Sequence, residues 1–142
     1  MNFPIRSPYD TTSGIVLVPR LIDKARLQAQ GNLPPGYTVG PIPGKRTFDD
    51  RFCAFLQITY QDFLQSVQQG GSDEEILERC LLTGHRPTPE QIEIWNTFMI
   101  KRGWRDAATE GLEKSKAEAN LAHRTDLLTF FDLMDTEEGR KP

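Results

Sequence analysis

Lys101, Arg102, Trp104, Arg105 and Asp106 fall within one short run, KRGWRD, which sets an indole ring beside two guanidinium groups after a break at Gly103. An aromatic face next to guanidinium can stack a flat ligand and grip an anion through bidentate hydrogen bonds. A second basic group, Arg20, Lys24 and Arg26 with Asp23 among them, lies near the start of the chain. Both groups also have a plainer reading. Asp23 stands three residues from Arg20 and three from Arg26, and Asp106 is placed to cap the helix that follows it, so ion pairing alone accounts for them. If the first helix packs beside the Trp104 junction, Arg20 and Lys24 face Arg102 or Arg105 across a shallow groove. Complete interleaving by Asp23 and Asp106 makes that groove a salt-bridge network, the favoured reading. Incomplete neutralisation makes it a site for a phosphate- or carboxylate-bearing ligand.

Acid–base chemistry has little to draw on. The two histidines, His85 in LTGHRPTPE and His123 in LAHRTD, both fall in turns between helices, with no acid and nucleophile beside them. An enzyme would need a set converging from distant positions: His85, His123, Asp23 and Asp106. The chain holds no GxSxG, HExxH, Walker A or GxGxxG pattern. Asp49-Asp50 and Asp73-Glu74-Glu75 sit in first helical turns, where negative charge offsets the helix dipole. Asp132 and Asp135 offer a conceivable oxygen-ligand pair, but a solvated helix end is the better account, and no cofactor or metal is called for. Cys53 and Cys80 form no CxxC pair and each falls on an apolar helix face, as buried free thiols do.

With 142 residues, 37% hydrophobic and 26% charged, one domain around one core is expected. A net charge of −3 argues against a nucleic-acid surface, which needs a basic face. A helix-turn-helix built from Ser72–Gly84 and Thr88–Arg102 is the weakest of the readings, because its second helix is apolar. No apolar run is long enough to cross a membrane, and nothing resembles a secretory leader, so the expected compartment is the cytoplasm.

The elements follow from periodicity and punctuation. An irregular arm covers 1–14. A first helix, from Ile15 or Val18 to Gln30, carries Pro19 in its first turn and stops at Gly31. GNLPPGYTVGPIPGKR, 31–46, has four glycines and four prolines and must be a surface loop, tacked down by Tyr37, Val39 and Ile42. Thr47, Thr59, Ser72 and Thr88 each open a helix, the last two as capping boxes. Helices over Asp106–Asn120 and Thr125–Asp135 complete the domain, 15–136, and a tail at 137–142 is expected to fray. The last helix holds more apolar residues than one stripe needs, from Leu127 to Met134. That surplus predicts either a core plug or a homodimer contact.

The segments LVPRLIDKARL (17–27), FDDRFCAFLQITYQDF (48–63), GGSDEEIL (70–77), QIEIWN (91–96), KRGWRD (101–106) and TFFDLMDTEEGR (129–140) resemble, in order and over nearly the whole chain, a family of small bacterial proteins known only as a domain of unknown function. The resemblance implies a bacterial protein in which RLIDKAR and KRGWRD are recognisable marks. It implies no reaction, cofactor or partner. The expectation is therefore an all-α domain of six to seven short helices. Its function is the non-enzymatic binding of a small anionic ligand or a protein partner, with Arg20, Asp23, Lys24, Arg102, Trp104, Arg105 and Asp106 as the binding residues.

Overall fold

The computed structural model describes residues 3–142. Seven helices form the domain: α1 Val18–Ala29, α2 Phe48–Leu56, α3 Tyr60–Gln68, α4 Asp73–Thr83, α5 Pro89–Lys101, α6 Thr109–Glu118 and α7 Phe130–Glu137. A two-stranded antiparallel hairpin, β1 Thr11–Thr12 and β2 Ile15–Val16, precedes them with Thr12 opposite Ile15. The mainly helical architecture is as expected; the hairpin is not, being too short for its alternation to register. It belongs to the core, since Thr12, Ile15 and Val16 are buried.

Four helix starts share one device. Thr47, Thr59, Ser72 and Thr88 each accept a hydrogen bond from the backbone N–H three residues on, and the side chains of Asp50, Asp62, Glu75 and Gln91 accept one from the backbone N–H of the cap residue. Each pair satisfies donors that a helix end otherwise leaves bare. Five of the helices pack their apolar stripes into one core around Ile22, Phe52, Leu56, Phe63, Ile76 and Met99. Phe52 and Phe63 meet edge to face at 5.7 Å, and Phe55 stacks on Trp95 at 4.7 Å with their planes 6° apart.

Three expectations need correction. α7 begins at Phe130, not Thr125: Thr129 caps it by accepting from the Asp132 N–H, and the Phe130 N–H donates to the Arg102 carbonyl. The apolar surplus of 127–134 follows from this, because Leu127 precedes the helix. Leu127 and Leu133 join Leu112 in a small second core, Phe131 enters the main one, and Leu128 alone of the run is strongly exposed. Leu127, Phe131 and Leu133 are thereby taken up inside the molecule. α6 begins at Thr109 rather than Asp106. The segment expected to fray is also held: Glu138 is buried and Arg140 donates to the Ile5 carbonyl, so 138–140 clasp the N-terminal arm.

Cys53 and Cys80 are free and buried. Burial, and next the charge of Asp49, push the Cys53 thiol up to about 12, and burial pushes Cys80 up as well. Thiolate is the reactive form, so at pH 8 the folded chain should resist iodoacetamide and take up two equivalents only when urea unfolds it. Rapid labelling of the native chain would show one of these thiols to be accessible.

Candidate functional site

α1 presents Arg20 and Lys24 one turn apart, but neither guanidinium nor ammonium is left without a carboxylate. Arg20 pairs with Glu138 through two bonds of 2.8 and 2.7 Å, with both side chains almost fully buried, and also donates to the Arg6 carbonyl. Lys24 pairs with Asp49 at 2.9 Å and donates to the Thr38 carbonyl at 3.1 Å. Asp23, expected to serve Arg20 or Arg26, serves Arg6 instead, accepting from its backbone and side chain at 2.8 to 3.0 Å. Arg26 reaches the Gly71 carbonyl.

The loop 31–46 closes over this pair of ion pairs. The Tyr37 hydroxyl donates to Glu138 at 2.6 Å, and the Gly40 N–H donates to Asp49 at 2.8 Å. Gly40 takes a positive φ of 69°, and a Cβ there would stand 2.9 Å from the Tyr60 ring, so glycine alone fits the approach. Burial would raise the Glu138 carboxyl; bonds from Arg20 and Tyr37, with the Arg20 charge, more than offset it and hold it below the ordinary range. Beneath the loop lies a hollow of about 340 Å³ in which both cations, Arg20 and Lys24, are paired with carboxylates and Glu137 adds a further negative charge.

The KRGWRD junction is built differently. Arg102 meets Asp106 at 3.5 Å. Asp106 also accepts from the Gly103 and Ala108 N–H groups, so it orders the turn rather than starting the helix. Trp104 is 43% exposed, with the Arg105 guanidinium 5.3 Å over its ring. The single groove expected between the two basic groups does not form. Arg102 lines a separate hollow, also about 340 Å³, which shares only Phe48 and Met134 with the one beside Arg20. Those two apolar side chains partition the groups, and neither Trp104 nor Arg105 lines either hollow.

Arg102 does have basic neighbours, and they were not among the residues expected. Arg46, at the end of the loop, and Arg51, on α2, line the same hollow with it. Among the described residues neither Arg46 nor Arg51 makes a salt bridge. Two guanidiniums approach the Phe98 ring, Arg51 at 5.3 Å and Arg102 at 5.1 Å from its centre. Burial lowers the Arg51 pKa, and repulsion from Arg102 and Arg46 lowers it further, so cationic charge is crowded here. Arg46 and Arg51 also line a larger adjoining hollow of about 480 Å³, walled by Phe55, Ile94, Trp95 and Phe98 and ending at His85 and Gln91. The signal was present in outline: Arg51 and Phe55 are one turn apart on α2, and Ile94 and Phe98 one turn apart on α5. Each pair therefore shares a helix face.

The proposed catalytic set does not converge. His85 lines the larger hollow, its ring nitrogen 3.0 Å from Gln91, whereas Asp23 and Asp106 are engaged as above and His123 is exposed in the α6–α7 connection. Asp132 accepts from the Tyr9 hydroxyl at 2.6 Å, and Asp135 from Ser7 at 3.0 Å, which ties the arm to α7. Among the described residues no group of three or more His, Cys, Asp or Glu side chains is placed to hold a metal ion, and no helix is long and apolar enough to cross a membrane.

No curated protein matches the chain. Of the six segments that marked it in sequence, those at 17–27, 48–63, 101–106 and 129–140 contribute Arg20, Lys24, Asp49, Arg51, Arg102 and Glu138 to the features described above. Residues 2–140 match the family described as a domain of unknown function, DUF5069, and the chain belongs to that family.

Proposed function

We propose that this domain is a cytoplasmic binding module for a small anionic ligand, held by Arg46, Arg51 and Arg102. The observation that supports this reading is the charge imbalance of their hollow: exposed Arg46 and half-buried Arg51 and Arg102 line it, and of the three only Arg102 has a carboxylate partner, Asp106. Elsewhere in the fold, buried cations are paired with carboxylates, as burial requires. Clustered cations in a concave site cost folding energy unless an anion joins them, and guanidinium grips phosphate or carboxylate through two parallel bonds. Two free cysteines fit a reducing compartment.

Anion-dependent thermal stability tests the reading. A ligand at a hundredfold excess over its Kd adds about 2.7 kcal/mol. For a chain of this size each kcal/mol moves Tm by roughly 2–4 °C, so phosphate or sulfate should raise Tm by several degrees. Arg51→Met, which keeps most of the apolar stem, should abolish the rise while leaving anion-free Tm equal or higher. A Tm that phosphate and sulfate leave unmoved, or a rise that survives in Arg51→Met, would end the proposal.

A further inference from the structure

The basic hollow does not stand alone. Arg46 and Arg51 border both it and the larger apolar one, so a ligand anchored on these arginines has its remaining atoms directed over the second hollow. We infer, resting on the anion-binding reading above, that the ligand is a phosphate monoester bearing a planar aromatic ring, with its phosphate on the arginines and its ring in the apolar hollow.

The charge count selects the head group. Three arginines less Asp106 leave two positive charges, and a phosphate monoester carries about −1.5 to −2 at neutral pH. A single carboxylate would leave one guanidinium unmatched.

The walls select the body. Phe55 and Trp95 are stacked with planes only 6° apart, so the aromatic lining is flat rather than interlocked. Phe98 and Ile94, one turn apart on α5, stand 40% and 63% exposed and together give the hollow an apolar face that a ring would cover. A volume of about 480 Å³ lies within the range of small-molecule sites, roughly 300–1,000 Å³. At the far end His85 and Gln91, whose side chains meet at 3.0 Å, offer hydrogen-bonding atoms to the edge of a heterocycle.

Adenosine monophosphate, adenosine and inorganic phosphate separate the contributions of ring and phosphate. In a Trp104→Phe variant the remaining tryptophan, Trp95, reports the hollow directly, and calorimetry on the unaltered chain gives the affinities. Stacking on aromatic side chains makes the monophosphate about tenfold or more tighter than inorganic phosphate, with a change in Trp95 emission. Ile94→Ser, at an exposed position that leaves the core intact, should erase most of that advantage and leave phosphate affinity unchanged. If the monophosphate binds no more tightly than phosphate, the aromatic-ligand inference falls and the anion reading stands. Should adenosine bind as tightly as the monophosphate, or neither phosphate nor the monophosphate bind at all, both fall.

Discussion

Glu138→Ala is expected to destabilise the fold by about 3–5 kcal/mol, the cost of leaving a buried guanidinium without its counter-ion. The Arg20 side chain is 5% exposed and that of Glu138 1%, so water cannot replace the lost carboxylate. The same substitution strips the Tyr37 hydroxyl and one Arg140 contact of their acceptor, which loosens the 31–46 loop together with the tail. Domains of this kind have only about 5–15 kcal/mol in total, so urea unfolding should show the loss clearly. Arg20→Met combined with Glu138→Leu should recover much of it, because removing both charges removes the desolvation cost as well. The pH profile carries the same signature. The carboxyl is held below its ordinary value in the folded chain, so its contribution is complete above the unfolded-state pKa and fades as pH falls through the acid carboxylate range. Unfolding energies of wild type and Glu138→Ala should therefore approach one another toward pH 3. A loss under about 1 kcal/mol at pH 7 would mean that the pair is solvated.

Gly84→Ala should cost about 3 kcal/mol, at the upper end of overpacking penalties. Gly84 ends α4 against the turn between α2 and α3, and a methyl there would stand 2.0 Å from the Leu56 carbonyl oxygen and 2.6 Å from the Ile58 side chain. The obstruction is backbone, and the adjacent His85 N–H donates to that same carbonyl at 2.8 Å, so the turn cannot move aside without losing a bond. Gly31→Ala is the control. Gly31 has a positive φ of 73° but open space around it, and only the conformational penalty of about 1–2 kcal/mol applies. Equal midpoints for the two variants in urea would refute the steric account.

The local half of this architecture was legible in sequence, and the long-range half was not. Ser72 and Thr88 announce helices because a cap and its partner lie three residues apart, and Thr47 and Thr59, legible only as caps, prove to form boxes too, with Asp50 and Asp62. Thr125-Asp126 has the composition of a start but fails, since Leu127 is needed in the second core and the Phe130 N–H is taken by Arg102. The tail EEGRKP looked solvated by composition alone; nothing within it reveals that Glu138 finds Arg20 across 118 residues. Arg20 and Lys24 take Glu138 and Asp49 as partners, rather than the Asp23 and Asp106 that lie near the two basic groups in sequence. Arg46 and Arg51 escaped notice because their neighbour Arg102 comes from α5, and only folding joins the three.

The clasp of residues 5–6, 20, 37, 138 and 140 also bears on time rather than energy. The contacts that tie Ile5, Arg20 and Tyr37 to Glu138 and Arg140 span separations of 101 to 135 residues, so nearly the whole polypeptide must be in place before these can close. Bonds that form last contribute little to the folding transition state, and weakening them accelerates unfolding instead of slowing folding. The extremities of this chain therefore act as a latch on its lifetime: the helices govern how fast the molecule assembles, and the clasp governs how long it persists.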